Sequence, residues 1–204
     1  MSLFLIRHGE TALNAARVLQ PADTPLSETG LLQADALARR LAGVGLAAIV
    51  SSDLPRALRT AEALAAASGL AIATSPLLRE RNFGALRGRP YDALGFDPLV
   101  MQAAPPGGES AAKLVDRVAA AFAMIVRMRA ALAGPLAVVT HGLVIRALLD
   151  AHVQWPAGVE RPERLGNTAL SIVSAVPPHA LELLNCTRHL DGDSSASEHG
   201  LGGG

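Results

Sequence analysis

Short apolar runs alternate with longer segments of helical periodicity along most of the 204-residue chain, and this alternation restricts the fold more than any other feature. A helix between two successive strands allows those strands to lie parallel, with helices covering both faces of the sheet. The pattern therefore predicts an α/β fold, a three-layer α/β/α sandwich with a mostly parallel central sheet. The predicted strands cover residues 2–6, 47–50, 70–74 and 136–139, and the predicted helices cover residues 28–42, 54–68, 110–132 and 143–151.

Two regions depart from this alternation. Residues 169–176 and 180–185 are predicted to be two further strands, paired antiparallel across the turn at Pro177-Pro178. Residues 76–109 are interrupted by many prolines and glycines, and we expect a long, irregular excursion there. Such excursions often carry function, so this segment is expected to border the site.

Composition limits both the organisation and the partners of the chain. We expect one domain over residues 1–190 and a disordered tail, rich in Ser, Gly and acidic residues, over residues 191–204. Equal numbers of basic and acidic residues, 18 of each, argue against a nucleic-acid partner. A single cysteine, Cys186, excludes an intrachain disulfide framework and fits a reduced, cytoplasmic setting. Because no signal peptide or spanning apolar run is evident, we expect no membrane partner.

Polar residues follow several of the predicted strands. Arg7 and His8 end the first apolar run, Ser52 follows the second, and His141 follows the fourth. The carboxyl ends of parallel strands meet at one edge of a sheet, where α/β proteins bind ligands. An arginine beside a histidine at such an edge indicates an anion held next to a nucleophile. The sequence therefore predicts one site assembled from several strand ends.

Five ordered motifs resemble those of the histidine phosphatase superfamily, in the branch that contains phosphoglycerate mutases, fructose-2,6-bisphosphatases and small broad-specificity phosphatases. The resemblance runs from about residue 2 to residue 190. Its motifs are Arg7-His8-Gly9-Glu10-Thr11 with Asn14, Ser52-x-Leu54-x-Arg56-Ala57-x-x-Thr60-Ala61, Glu80-x-x-Phe83-Gly84, Gly107-Gly108-Glu109-Ser110 and Thr140-His141-Gly142. The resemblance implies the same α/β/α fold and phosphoryl transfer through a phosphohistidine.

Residue chemistry agrees with this implication. Guanidinium groups of Arg7 and Arg56 suit phosphate oxygens, His141 can add a third donor, and a neutral His8 can attack phosphorus. By resemblance, Glu80 is the proton donor. Burial is expected to raise the pKa of this carboxyl, and nearby arginines to oppose that effect. Further predicted substrate-binding residues are Asn14, Thr11, Gly142, Arg81 and Arg87, and no metal or cofactor is expected.

Each assignment has a structural alternative. Glu80 could instead form a salt bridge with Arg79 or Arg81. Asn167, before the late strand, resembles a position that supports the site in this family. The sequence also departs from the family's pattern at Gln20-Pro21, where a glycine is common before the Asp-Thr-Pro-Leu turn. A stiffer turn is expected there, and the contacts of residues 17–23 with the site stay open.

The same phosphohistidine serves phosphatases and mutases, which differ in the group that receives the phosphoryl group. Between Glu80 and Glu109 the chain is shorter than the corresponding stretch of the true mutases, and residues 92–106 contain no Lys or Arg. We therefore expect a phosphatase acting on a small phosphorylated metabolite, such as a sugar phosphate, a phosphoglycerate derivative or a nucleotide-derived phosphate. A cofactor-dependent phosphoglycerate mutase, a phosphopeptide phosphatase and a non-catalytic phospholigand-binding protein stay open, as does a homodimer.

Overall fold

A six-stranded sheet forms the centre of the molecule, which we describe over residues 1–191 from a computed structural model. The strands occur in the order β3-β2-β4-β1-β5-β6 across the sheet. Strands β1 to β4 run parallel, and β5 alone runs opposite to its neighbours β1 and β6. The strands are β1 (Ser2–Arg7), β2 (Ala48–Ser51), β3 (Ile72–Thr74), β4 (Leu136–Thr140), β5 (Leu170–Ser174) and β6 (Leu181–Cys186).

Five α-helices connect or flank these strands: α1 (Ala12–Ala15), α2 (Glu28–Leu41), α3 (Pro55–Ser68), α4 (Ala111–Ala130) and α5 (Gly142–His152). Side chains of Ser27 and Ser110 cap α2 and α4, because each hydroxyl accepts from a backbone N–H of the first turn. Pro55 occupies the first turn of α3, and Gly69 ends that helix in the left-handed conformation, with φ at 71°. The four longer helices therefore begin and end near the positions that the sequence predicts.

Helices cover both faces of the sheet, as predicted for a three-layer sandwich. In β1, Leu3 and Leu5 pack with α4 and α5, whereas Phe4 and Ile6 pack on the other face with α2 and α3. Successive side chains of a strand point to opposite faces, so a strand buried on both sides must be apolar throughout. All four of these side chains are buried. The predicted α/β/α architecture with a mostly parallel sheet is confirmed.

The structure corrects several boundaries. Strand β3 begins at Ile72 instead of residue 70, because Gly69 and Leu70 complete the turn out of α3. Strand β5 ends at Ser174 instead of residue 176, where the Ser174 hydroxyl bonds the backbone of Val176 and starts the turn. Helix α1 was not predicted at all. Its four residues are too few for an apolar stripe, and a capping box between Thr11 and Asn14 holds it.

The excursion over residues 76–109 is irregular, as predicted. It contains three short 3₁₀ turns, at Pro76–Leu78, Gly84–Leu86 and Asp92–Leu94, and a fourth such turn covers Arg188–Leu190. Of the predicted tail, only Asp191 belongs to the described residues. Within residues 1–191, no helix combines the length and the apolar character needed to cross a membrane.

Parallel pairing of three adjacent strands sets the position of the site. β4 lies between β2 and β1, and Arg7 is level with Thr140 while Ser51 is level with Val139. Backbone hydrogen bonds continue this register one residue past the strands, from His8 N–H to Thr140 O at 3.0 Å and from Ser52 N–H to Val139 O at 2.9 Å. The residues that follow the three strands are thus held together at one edge of the sheet.

Candidate active site

His8 follows β1 and is buried, with 2% of its surface exposed. Its Nδ1 lies 2.7 Å from the carbonyl oxygen of Gly9, which can only accept, so Nδ1 carries the ring proton and Nε2 carries the lone pair. Burial, and then the charges of Arg7 and Arg56, hold the pKa of His8 well below its usual 6.5. The ring is therefore neutral, with Nε2 available as a nucleophile.

Close backbone packing fixes the segment that carries His8. The N–H of Gly9 donates to Thr60 Oγ1 at 3.0 Å. A Cβ at Gly9 would lie 2.5 Å from the carbonyl oxygen of Gly30, closer than real Cβ contacts come. Only glycine allows the end of β1 to approach helix α2 this closely. The glycine after His8 is therefore required by this close packing.

His141 follows β4 and is completely buried. Its ring centroid lies 5.1 Å from that of His8, and the two ring planes are inclined at 57°. Nε2 lies 2.9 Å from Ser52 Oγ, whereas Nδ1 has no hydrogen-bond partner among residues 1–191. Burial, and then the charge of Arg56, hold the pKa of His141 well below its usual value.

Two arginines flank the histidines and present unpartnered donors. Arg7 Nη1 donates to the carbonyl oxygen of Leu165, and Arg56 Nη1 donates to that of Pro21 at 3.2 Å. The Nε atoms of both arginines are buried and have no hydrogen-bond partner in the part of the chain that the structure describes. Within residues 1–191, neither guanidinium forms a salt bridge with a carboxylate. Burial lowers the pKa of Arg56 to about 10, so its positive charge persists at neutral pH.

The turn at Gln20-Pro21 contacts the site through its backbone. Carbonyl oxygens of Pro21 and Ala22 both accept from Arg56 Nη1, at 3.2 and 3.5 Å. Although this turn departs from the family's pattern in sequence, it still contacts Arg56. Its backbone carbonyls orient the guanidinium and require no particular side chain.

Glu80 lies close to the N-terminus of α5. Its Oε1 accepts from the N–H of Arg81 at 2.9 Å, and its Oε2 accepts from that of Leu143 at 3.3 Å. Burial of the carboxyl raises its pKa, while these two hydrogen bonds and the charges of Arg56 and Arg7 act in the opposite direction. A raised pKa suits a group that must give and take a proton near neutrality.

The salt-bridge alternative for Glu80 is wrong. Arg79 pairs with Asp53, with Nε 2.6 Å from Oδ1. Arg81 is buried and donates to the carbonyl oxygens of Glu109 at 3.0 Å and Ala103 at 3.1 Å. Arg81 thus holds the excursion in place, and its predicted contact with substrate stays a prediction.

The other predicted binding residues occupy different positions around the cluster. Asn14 Nδ2 donates to Asn167 Oδ1 at 3.2 Å, and Asn167 Nδ2 donates to the carbonyl oxygen of His8 at 3.2 Å. Thr11 is buried, and its hydroxyl lies 2.8 Å from Gln20 Oε1. The side-chain amides of Asn14 and Asn167 therefore support the backbone of His8, as the resemblance implies for Asn167. A direct substrate contact of Asn14 or Thr11 stays a prediction.

Gly142 and Arg87 border the two arginines. Gly142 begins α5, and a Cβ there would lie 3.7 Å from Arg7 Nε. Arg87 is exposed, and its charge helps to lower the pKa of Arg56, so it lies at the rim of the site. Substrate binding by either residue stays a prediction.

Two contacts at the site are not predicted from the sequence. The sequence places Ser52 at a strand end near the site, but not as the hydrogen-bond partner of His141. Tyr91 is the only tyrosine, and its backbone N–H donates to Arg17 O at 2.9 Å while the Arg17 guanidinium lies 5.7 Å from its ring centroid. Burial and the nearby Glu80 raise the pKa of Tyr91. These contacts join segments far apart in sequence, so no local pattern could indicate them.

Comparison with known proteins decides the family. A model of the histidine phosphatase superfamily (branch 1) matches residues 3–186. The chain belongs to the histidine phosphatase superfamily. Among relatives, it is 39% identical over 183 residues to the probable phosphoglycerate mutase GpmB of Yersinia pestis (strain Pestoides F), a match that covers 85% of this chain and 84% of that protein.

Solved structures of the superfamily share the fold. A mycobacterial glucosyl-3-phosphoglycerate phosphatase in complex with VO3 is 31% identical, with a TM-score of 0.72 over 85% of this chain and 90% of that one. A phosphoserine phosphatase mutant from Entamoeba histolytica, in complex with phosphoserine, is 25% identical, with a TM-score of 0.74 over 93% and 98% of the two chains. The resemblance seen in the sequence is confirmed, and it extends to both phosphatases and a mutase-like relative.

Proposed function

We propose that this histidine phosphatase superfamily member hydrolyses small phosphomonoesters through a phosphohistidine on His8. The observation that carries the proposal is the hydrogen bond from His8 Nδ1 to the Gly9 carbonyl, which leaves Nε2 unprotonated beside buried, unpartnered donors of Arg7 and Arg56. A phosphate monoester, with close to two negative charges, complements two guanidinium groups that have no carboxylate partner.

In the proposed first step, His8 Nε2 attacks phosphorus and the bond to the ester oxygen breaks. Glu80 gives its proton to the departing alkoxide. Arg7, Arg56 and His141 donate to the oxygens that share the charge of the transferring group, and fixed donors of this kind supply much of the rate enhancement.

In the second step, Glu80 takes a proton from water, whose oxygen attacks the phosphohistidine. The bond from phosphorus to Nε2 breaks, inorganic phosphate forms, and His8 and Glu80 return to their starting states. The raised pKa of Glu80 supports this double role, because a carboxyl that titrates closer to neutrality can serve as acid and then as base.

Hydrolysis is favoured over isomerisation by the charge of the excursion. Residues 92–106 carry no Lys or Arg that could hold a second anionic group of a bound phosphoglycerate. Arg17 lies over the ring of Tyr91, and the charge of Arg87 acts on Arg56. Relatives bear names of both activities, so mutase activity is the second candidate.

We place the enzyme in the cytoplasm as part of the same proposal.

Turnover of p-nitrophenyl phosphate by the intact chain and by His8→Ala tests the proposal. We expect loss of activity by at least about 1,000-fold, because the nucleophile is removed. The matched control is His179→Ala, a histidine on the turn between β5 and β6, away from the cluster, which should keep wild-type turnover. Equal rates for His8→Ala and wild type would contradict the mechanism. Isomerisation of 3-phosphoglycerate faster than release of phosphate would favour the mutase.

A further inference from the structure

Ser52 lies where the register of the sheet brings β2 and β4 together. It is completely buried, and its N–H donates to the carbonyl oxygen of Val139 at 2.9 Å. Val139 lies two residues before His141, so this bond holds the serine hydroxyl beside the imidazole. The resulting separation of Ser52 Oγ and His141 Nε2 is 2.9 Å, within ordinary hydrogen-bond length.

The direction of this hydrogen bond follows from the other contacts of the hydroxyl. Ser52 Oγ accepts from the N–H of Leu54 at 3.3 Å. Within residues 1–191, the hydroxyl proton has no acceptor other than His141 Nε2. If Nε2 instead donated to Ser52, the serine proton would be buried without an acceptor at a cost of about 1–3 kcal/mol, and the Nδ1 lone pair would also lack a donor. With Ser52 as the donor, only the Nδ1 proton lacks a partner in the described part of the chain, and a bound phosphoryl group can accept it. Ser52 therefore donates, and His141 Nε2 accepts.

We propose that Ser52 is a positioning residue that fixes His141 as the neutral tautomer protonated on Nδ1, so that Nδ1–H donates to the phosphoryl group. The inference rests on the proposed function, because it assigns His141 as a donor to phosphate. Nδ1 is buried and has no partner among the described residues, as such a donor requires. The low pKa of His141 supports a neutral ring whose single proton must be correctly placed.

The two histidines thus use the same tautomer in opposite ways. His8 turns its Nδ1–H to the Gly9 carbonyl and presents a bare Nε2, which suits a nucleophile. His141 turns its bare Nε2 to Ser52 and presents Nδ1–H, which suits a donor to an anion. Exchanging the His141 tautomer would place a lone pair against phosphate oxygens, and repulsion would replace attraction.

Nitrogen-15 NMR of the histidine-labelled full chain tests the tautomer without any substrate. The six histidines give a tractable set of signals, and His141→Gln identifies the one that matters. We expect His141 to show a protonated Nδ1 and an unprotonated Nε2 at neutral pH. A protonated Nε2 would overturn the inference while leaving the His8 mechanism intact.

Ser52→Ala, Ser52→Thr and Ser51→Ala then test the consequence for catalysis. Ser52→Ala removes the donor, so kcat on p-nitrophenyl phosphate should fall about 10- to 100-fold at neutral pH. Ser52→Thr keeps a hydroxyl and should restore most of the rate. Ser51→Ala is the matched control, because Ser51 is also completely buried but donates to the Ser52 carbonyl at 2.8 Å.

The tautomer of His141 in Ser52→Ala separates positioning from a merely structural role. Without the serine hydroxyl, nitrogen-15 NMR should show a mixture of the two neutral tautomers, whereas Ser52→Thr should keep the form protonated on Nδ1. An unchanged tautomer in Ser52→Ala, or full activity of that variant, would overturn the proposed role. If His8→Ala retained turnover, the proposed function itself would fail, and the NMR result would still report on the tautomer.

Discussion

His8 and His141 lie with their ring centroids 5.1 Å apart, and each turns a different nitrogen toward its protein partner. The carbonyl of Gly9 accepts from the protonated Nδ1 of His8. In the proposed tautomer, the hydroxyl of Ser52 donates to the unprotonated Nε2 of His141. Two neutral histidines can therefore lie side by side without repulsion between charges. In the proposed mechanism, this relationship lets His8 attack phosphorus while His141 stabilises the phosphoryl oxygens.

Replacing Glu80 by Gln should separate the two chemical steps. The amide cannot give a proton, so kcat on an alkyl phosphate should fall about 100- to 10,000-fold. p-Nitrophenolate leaves without protonation, so the first turnover of p-nitrophenyl phosphate should persist as a burst, followed by slow dephosphorylation. Stopped-flow absorbance measures both phases. Glu62→Gln, at an exposed pair with Arg59, is the control. Loss of the burst together with the steady state would contradict the assignment.

Arg56→Ala should lower kcat/KM for p-nitrophenyl phosphate about 100- to 1,000-fold, because it removes one of the charged donors that the proposed mechanism assigns to the phosphoryl group. Arg59→Ala is the matched control. Arg59 lies on the same helix, but its guanidinium pairs with Glu62 at 2.9 Å and is exposed. Steady-state kinetics over a substrate range measures the effect. An equal loss in both variants would indicate an unspecific effect of charge on α3.

Acid should destabilise the fold partly through His189. Burial, and then the charge of Arg40, lower the pKa of His189 from its usual 6.5 to about 4. The unfolded chain therefore binds a proton that the folded chain refuses, so the free energy of unfolding should fall as pH drops from about 6.5 to about 4. Urea unfolding across this range measures the slope. His189→Gln should flatten it, and an unchanged slope would contradict the assignment.

Gly84→Ala should destabilise the excursion that carries Glu80. Gly84 has φ at +49°, and an added Cβ would lie 2.1 Å from the carbonyl oxygen of Pro106. Gly95 also has a positive φ, at +70°, but an added Cβ meets nothing within 4 Å. Gly95→Ala should therefore cost about 1–2 kcal/mol from backbone strain alone, and Gly84→Ala about 1–3 kcal/mol more. Urea unfolding of both variants checks the difference, and equal losses would contradict it.

Sequence patterns were sufficient for the layers of the fold and for much of the site. The strand-end positions of His8, His141 and Ser52 follow from the alternation of strands and helices, because parallel strands share one carboxyl edge. The motif residues Arg7 and Arg56 could also be located, since guanidinium groups suit phosphate. The structure brings all of these residues together at one edge of the sheet.

Contacts between distant segments could not be predicted. The bond from Ser52 to His141 spans 89 positions and depends on the register of β2 against β4. The guanidinium of Arg81 donates to backbone carbonyls that only the folded excursion places there, and its predicted substrate contact stays a prediction. Helix α1 depends on side-chain capping, which carries no periodic signal.

The central claim is that His8 carries the phosphoryl group, and chemical trapping tests it most directly. Wild type and Glu80→Gln are mixed with p-nitrophenyl phosphate, quenched in base within the first turnover, digested and examined by mass spectrometry. We predict a base-stable, acid-labile phosphoryl group on the peptide that contains His8, accumulating most in Glu80→Gln. Rapid turnover with no label on that peptide, or with the label on another residue, would contradict the account.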